Sequence, residues 1–540
     1  MRWDFDSDGS FDTAWSTTKD TIHSYVGVGS SESRTVTMEV RDGSAAVSTA
    51  SQTVLVGLDE FPDPVSGTIS LDTTWSGTKL LTNDLHVTSG ATLTIEAGTR
   101  VLVSKPASGA HHIDVDGVLI VNGTATEPVV FTPYGIGGKT AGAWTGLILT
   151  SGSSNAGNSI SHAIIEYAHR GIRTASSHQY PISDTVVRFC NNGIDQNGGT
   201  VDYTRVLALY NRVGLRVGYV GGYGGTRIAN IQQSAFDHNT DYGIWMPVGD
   251  YTNNVSLTTS QANHNGIAGV SANVGDLTAV HALIRGNAQA GIAKSADIGG
   301  DLDDGNLNLQ HVLVEGNGGP GVWSMADPIS ITDSVVRDND GVGVITMSSW
   351  SSTLMRNDFY GNSLSGGYER AEDVMTVATT LAEMATVEDT YTAPGGAAIL
   401  VTGYRYTILP DSASCLGAAR PYVYLYKDGE ANDYDDFNYT YTGGSRWWGF
   451  GGITSLRAEH HDTSGVCGAS FETFEVVYEK ADAPTEALSR GASSVGGNYW
   501  GTANAAEIDA RAVFWAGRPD LATEVLAPNP GAGTQVELAY

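Results

Sequence analysis

Lysine is scarce in this chain of 540 residues. There are seven, and with arginine the bases reach only 29 against 59 carboxylates, for a formal charge of −30. A surface of that sign repels phosphate backbones and anionic headgroups, so neither a nucleic-acid nor an anionic-membrane partner is expected. It suits solubility outside the cell and divalent cations. No run approaches the ~20 apolar residues that cross a bilayer. The opening MRWDFDSDGS is acidic and lacks the apolar core of a secretory leader. Glycine and serine do not gather into linkers, so disorder does not account for the 67 glycines.

What is present is short alternating runs of Val, Thr, Ile and Tyr, broken by Gly, Asn, Asp and Ser. This is the pattern of an all-β protein with many tight turns, and the length calls for two to four domains. From about residue 160 a unit recurs: an apolar strand, Asn, three residues, Gly, then Ile or Val. FDHNTDYGIW (236–245), ANHNGIAGVS (262–271), IRGNAQAGIA (284–293), VEGNGGPGVW (314–323) and VRDNDGVGVI (336–345) all carry it. The anchor column runs Ala168, Cys190, Asn211, Asn239, Asn265, Asn287, Asn317, Asn339 and Asn362, with spacings of 22, 21, 28, 26, 22, 30, 22 and 23 residues. A step near 22 is one turn of a parallel β-helix, the longer steps carrying loop excursions. Leucine-rich repeats share the period, but their Leu-x-x-Leu-x-Leu frame is missing. The Asn amides would bond one another along the stack, and each Gly would permit a backbone angle or a close approach. Handedness follows the right-handed rule for parallel connections, and ten to twelve turns are expected.

Upstream, GATLTIEAGTRV (90–101), VLIVNGTATEPVVFT (118–132) and GAWTG (142–146) extend the pattern, and NYWGT (498–502) resumes it downstream. Together with the repeat, these segments resemble the right-handed β-helix proteins grouped with the pectin-lyase-like fold. That superfamily holds lyases, hydrolases, epimerases and adhesive stalks, so the resemblance implies architecture and leaves activity open. A short helix over 505–515 is expected to cover the C-terminal end.

Residues 1–57 contain Trp3-Asp4-Phe5, His23-Ser24-Tyr25 and the strands TVTMEVRDG and STASQTVLV. They resemble the second half of a polycystic-kidney-disease (PKD) domain, an immunoglobulin-like sandwich of surface proteins. The front strands of such a sandwich are missing, so the natural protein is expected to extend upstream, with a secreted or cell-surface location. The β-helix is assigned 58–362 and its last turn with the cap 491–540. Between them, 363–490 breaks the repeat and reads as an inserted β-sandwich-like domain. Cys190 falls in the anchor column as a buried thiol. Cys415 and Cys467, both in the insert, are the natural candidates for a disulfide pair, the alternative being two free thiols.

Several constellations carry possible chemistry. Asp4, Asp6, Asp8 and Asp12 around Gly9 alternate as in a Ca²⁺ loop, though no bidentate Glu or helix follows. The alternative is a plain polar hairpin. Asp250, Asp276 and Asp301 share an apolar-Gly-Asp context on successive turns, with Asp303 and Asp304 beside the last. Stacking would bring these carboxylates within a few ångströms of each other, to bind Ca²⁺ or to raise one another's pKa as a glycoside-cleaving acid/base set. The bland reading is that Asp is a good turn residue. Trp245 and Trp323, two residues past the repeat's Gly, are expected to face outward. With Tyr439, Trp447 and Trp448 of the insert they are candidate sugar-stacking rings, the alternative for the insert's rings being its core. A column of Glu166, Arg188, Asp237, Arg285, Glu315 and Arg337 suggests a surface salt-bridge ladder. Basic residues fit to abstract a proton from a uronate are limited to Lys294, Arg216 and Arg227. Three functions follow: a carbohydrate-binding surface protein, with the β-helix as scaffold and the insert as recognition module; a polysaccharide hydrolase or lyase acting along the 246–304 loops; and a stalk with neither activity.

Overall fold

The computed structural model describes most of residues 1–362, the strands alone within 367–489, and then 494–502, Asn504, Glu507, Ala512–Phe514 and Asn529. Within 1–362 the longer stretches outside the described residues are 24–31, 42–45, 57–61, 151–156, 219–222, 295–304, 325–328 and 347–352. The chain divides into two compact units, Met1–Pro64 and Val65–Tyr540.

In the first unit, Arg2–Asp4, Glu32–Arg41 and Val47–Val56 form an antiparallel sheet. Phe5 is buried and stacks on His23 at 4.3 Å, and Trp3 stacks on Phe5 at 6.2 Å. Arg2 forks onto Glu39 at 2.9 and 3.0 Å.

The second unit is a parallel β-helix. Each coil contributes three short strands, one to each of three parallel faces. The first face is a sheet of thirteen strands running from Thr73–Trp75 to Ser494–Gly496, where ten to twelve turns were expected. The second face is aligned through Val101, Phe131, Ile165, Val187 and Ala208. The third runs through Val87, Val115, Leu149, Thr174, Gln196 and Val217. Strand residues alternate between interior and exterior. The interior set, from Leu81 through Ile113, Ile194, Leu215 and Ile292 to Val344, makes one continuous buried core.

The corner between the second and third faces is where the repeat's Asn residues act. Each buried Asn accepts the backbone N–H of its predecessor in the column: Cys190 N to Asn211 at 2.9 Å, Asn211 N to Asn239 at 2.9 Å, Asn239 N to Asn265 at 3.0 Å, and so on to Asn362. Its Nδ2 donates to a carbonyl of the coil before, as Asn265 does to Phe236 O at 3.0 Å. Buried backbone groups at a non-ladder corner would otherwise go unpaired. The column begins at Cys190, whose Sγ takes the Ala168 N–H at 3.3 Å. Cys190 is a buried free thiol, and burial pushes its pKa up to about 12.

The repeat's glycines serve close approach rather than positive φ. A Cβ on Gly243 would meet Gly269 O at 2.6 Å and Phe236 O at 2.7 Å. The left-handed position lies one residue before the Asn column, filled by Tyr167, Phe189, Tyr210, His238 and His264 with φ of 55–60°. Their rings stack along the corner, Tyr167 on Phe189 at 5.2 Å and Phe189 on Tyr210 at 5.8 Å, then Tyr210–His238–His264 at 5.2 and 5.1 Å. A second ladder at the first corner had no sequence expectation: Ser234 N to Ser260, Ser334 N to Asn357 and Asn357 N to Asn498, at 3.0, 3.0 and 2.8 Å.

Beyond Asn362, the strands Gly367–Ala371, Ala469–Lys480, Leu400–Pro410 and Gly443–Trp447 make one antiparallel sheet. Asp389–Thr390, Leu456–Asp462, Pro421–Lys427 and Glu430–Asp436 make another. The coil resumes at Ala487–Ser489, paired in parallel with Val344–Thr346, earlier than the expected 491. Ala512–Phe514 pairs in parallel with that strand, so the end of the segment expected to be helical continues the third face. Its Ala-Val-Phe composition favours a strand once a parallel edge is offered.

Candidate functional site

The outer side of the third face concentrates polar and aromatic chemistry. Rung by rung, the register aligns His86, Asp114, Ile148, Arg173, Asp195, Arg216, Trp245, Ser271, Ala293, Trp323 and Ile345. The flanking residues Leu85, Ile113, Ile172, Ile194, Leu215 and Ile244 belong to the core, so this column points away from it.

The column opens on an imidazole–carboxylate group. His86 lies between two acids, Nδ1 3.5 Å from Asp114 and Nε2 3.4 Å from Asp116. His112 and His111 approach Asp84 at 3.2 and 3.7 Å, and the Thr150 hydroxyl donates to Asp116. These side chains are mostly half-exposed, and the pairs can hold or pass protons.

Further along, Asp195 is wholly buried and saturated by guanidinium groups. Arg216 donates from Nε and Nη2 to its two oxygens at 2.7 Å each, and Arg170 Nε lies 2.9 Å away. Arg212 pairs with Asp241 at 2.9 Å. Burial and the neighbouring Arg170, Arg216 and Arg212 hold His169 below its ordinary pKa, Asp195 opposing them, so the ring favours its neutral form. Tyr242 and Trp245 stack at 5.6 Å, both half-buried. Burial, then Asp241, raises the Tyr242 phenol.

Several expected residues fall elsewhere. Trp245 is on this face, but Trp323 is fully buried. The outer side of its coils is covered, with Ala293 and Ile345 on neighbouring rungs also buried, so it offers no ring to a ligand. Asp250 and Asp276 do not stack. Asp250 is in register with Tyr223, and Asp276 with Asn254, four residues further along the strand. That offset is roughly 13 Å at about 3.3 Å per residue. Asp276 instead accepts from Asn306 N at 2.7 Å and Nδ2 at 3.0 Å. It lines a shallow cleft with Asn308 and Ser330 on the first face. Asp301, Asp303, Asp304, Tyr439, Trp448, Cys415 and Cys467 lie outside the described residues, and Trp447 is placed only as the end of a strand.

None of the three basic candidates is placed to abstract a proton. Arg216 is locked on Asp195 and 8% exposed, Arg227 donates to Asn197 O at 3.0 Å and is 6% exposed, and Lys294 is wholly buried. The charged column of the second face forms pairs at its two ends, Arg188–Glu166 at 2.5 Å and Arg337–Glu315 at 2.5 Å. Leu209 and a buried Asp237, which accepts from Gln261 and Asn263 N, interrupt it. In the first unit, Asp4, Asp6 and Asp8 place carboxylate oxygens within 4.8 Å of one another. Asp12 is drawn aside to accept the Phe5 N–H at 2.7 Å.

Sequence reasoning passed over His86, Asp114, Arg173 and Asp195. A signal for the last two was present, since Arg173, Asp195 and Arg216 occupy the same offset after the repeat's Gly as Trp245.

Residues 67–175 match the family described as a pectate-lyase like beta helix domain. No curated protein sequence matches the chain. Among solved structures, it is similar to the enzymatically active domain of tailspike protein 4 from bacteriophage CBA120, at 9% identity and a TM-score of 0.18, covering 76% of this chain and 64% of that one. A tailspike of Acinetobacter baumannii bacteriophage Fri1, described as a capsular polysaccharide depolymerase, matches at 10% identity and 0.19, over 75% and 80%. A mutant tailspike of the E. coli bacteriophage HK620, in complex with a pentasaccharide, matches at 10% and 0.18, over 78% and 87%. At such scores these likenesses carry no argument about this chain. The family match and the parallel ladders define its class as a parallel β-helix.

Proposed function

We propose that the protein binds carbohydrate along the outer side of its third face, outside the cell. The observation that carries this reading is the register itself. A rigid parallel sheet holds Arg173, Asp195, Arg216 and the Tyr242–Trp245 ring pair on consecutive rungs of one column, with His86 and Asp114 further along it, and Arg173, Tyr242 and Trp245 are half-buried. Fixed donors and acceptors beside a flat ring are what sugar hydroxyls and the apolar face of a pyranose need, and preorganisation lowers the cost of binding. A glycan array on the full chain tests it: binding is expected, and Trp245→Ala is expected to weaken each hit at least about tenfold. Hits indifferent to Trp245→Ala would refute the assignment to this face.

A second reading, polysaccharide cleavage, is favoured by the His86–Asp114–Asp116 group, which has acid/base chemistry within reach of the same strip. New reducing or unsaturated ends, abolished by His86→Ala, would establish it. Ca²⁺ is proposed for the Asp4–Asp6–Asp8 loop of the first unit, where three carboxylates converge and Asp4 is buried. Ca²⁺ is expected to raise the melting temperature of the wild type and to leave Asp6→Asn unmoved. The PKD-like identity of that unit, and the reading of 363–490 as an inserted domain, stand as proposals on the same footing.

A further inference from the structure

We propose that the strand Val47–Val56 of the first unit pairs antiparallel with its own copy in a second molecule, so that the protein dimerises about a two-fold axis through this edge. The sheet of that unit has the order Arg2–Asp4, Glu32–Arg41, Val47–Val56. The last strand is therefore an outer one, paired along its whole length to Glu32–Arg41 on one side only. An outer strand turns every second N–H and C=O to whatever lies beside it. At the opposite edge the chain covers those groups itself. Thr13 N–H donates to Trp3 O at 3.2 Å, Trp3 N–H to Thr13 Oγ1 at 2.8 Å, and Ser16 N–H to Met1 O at 2.9 Å. Among the described residues, none bonds the outer side of Val47–Val56.

Exposure points the same way. Every residue from Val47 to Thr53 is exposed, Val47 at 53%, so this stretch buries neither of its faces. Among the described residues of the unit, Phe5 alone is a buried hydrophobic side chain. A unit of this size with so small a core gains stability by association.

Charge selects the occupant. The chain carries −30 overall, and two copies repel wherever their acids approach. Glu32–Arg41 holds Glu32, Arg34, Glu39 and Arg41, whereas VSTASQTVLV has neither a charge nor a proline. Its pairing runs without a bulge. Charges, prolines and bulges are the devices that keep an edge strand from pairing, and this one has none of them. A two-fold axis sets the strand against itself reversed, so any charge near the axis would meet its like. A neutral strand escapes that penalty. A partner of another kind is free to use opposite charge, and this strand offers it none.

The geometry of the pair follows. Alternate residues turn their N–H and C=O to the same edge, so the pair joins residues an even number apart and one residue faces its own copy. The largest overlap places Ser51 or Gln52 on the axis. With Ser51 there, Thr49 faces Thr53 of the second copy; with Gln52 there, Ala50 faces Val54.

Sedimentation velocity of the full chain over a dilution series tests the pairing. Wild type is expected to run as a dimer that dissociates on dilution. Two double variants, Ser51→Glu with Gln52→Glu and Ser51→Lys with Gln52→Lys, set like charges on the axis in either register. Each is expected to weaken the dimer at least about tenfold with the far-UV circular dichroism unchanged, because both positions are exposed. Mixed one to one, the acidic and basic variants are expected to form a dimer containing one of each, weakening as salt rises. That rescue separates lost pairing from lost folding. A dimer indifferent to both double substitutions, or a mixture that stays monomeric, would overturn the proposal. So would a wild type that is monomeric throughout, which would leave this edge to a strand of another protein.

Discussion

Replacing Asn265 by alanine removes the middle of the longest side-chain ladder among the described residues. Asn265 Oδ1 accepts from both Asn239 N and Asn239 Nδ2 at 3.0 Å, and its Nδ2 donates to Phe236 O and Asn287 Oδ1, each at 3.0 Å. In Asn265→Ala, Asn239 Nδ2 keeps Ala208 O, and Asn287 Oδ1 keeps the backbone N–H of residue 265. The Asn239 N–H and the Phe236 carbonyl lose their side-chain partner in a dry interior. Each orphan costs about 1–3 kcal/mol, so the substitution should destabilise by roughly 2–6 kcal/mol. Urea unfolding measures the total. Hydrogen exchange measures the local part, where Asn239 N–H protection should fall at least about tenfold, equivalent to ~1.4 kcal/mol. A loss under about 1 kcal/mol with the Asn239 amide still protected would refute the claim that the side-chain ladder satisfies this corner.

Gly243→Ala forces a Cβ to within 2.6 Å of Gly269 O, and is expected to cost about 1–3 kcal/mol of stability or more, read as a lower urea midpoint. Phe189→Ala breaks the ring stack on both sides, at 5.2 and 5.8 Å, for a loss of about 1–3 kcal/mol at ~0.5–1.5 per pair, read by thermal melting. The Cys190 thiol should resist thiol reagents in the folded chain and react after unfolding. Its folded pKa is raised, so its stabilising contribution is complete below the ordinary thiol value of 9.0 and is lost as pH climbs to about 12. Cys190→Ala should remove that part of the alkaline loss. Asp358, whose pKa burial raises, accepts the Asn529 N–H on Oδ1 at 2.8 Å. Asp358→Asn keeps an acceptor without the buried charge and should raise the melting temperature at neutral pH.

The Asn column could be read from the sequence because its spacing varies only with loop length and each coil from Cys190 to Asn339 repeats the same hydrogen bond. The first three coils carry no such anchor, which is why His86 and Asp114 escaped notice: an alternating strand such as HIDV shows an outward polar residue without showing what stacks beside it. Alternation placed Trp323 on the outer side of its sheet but could not say that this side is covered. Asp250 and Asp276 were aligned by a shared Gly-Asp at the start of their strands. The ladder is instead held at the other end, where Thr258 faces Val280, and the longer strand Asp250–Thr258 takes up the difference before the pairing begins. Arg216 looked like a free base in an excursion because its partner, Asp195, is a full coil away in sequence.

The most direct test of the third-face assignment is a hydrogen-exchange footprint of whichever glycan binds, recorded on the full chain. Added protection is expected over 170–174, 192–196, 213–217 and 242–246, the strands that carry Arg173, Asp195, Arg216 and Trp245. Protection confined to the first-face clefts around Asp202, Asn230 and Ser256, or to residues 363–490, would contradict the assignment.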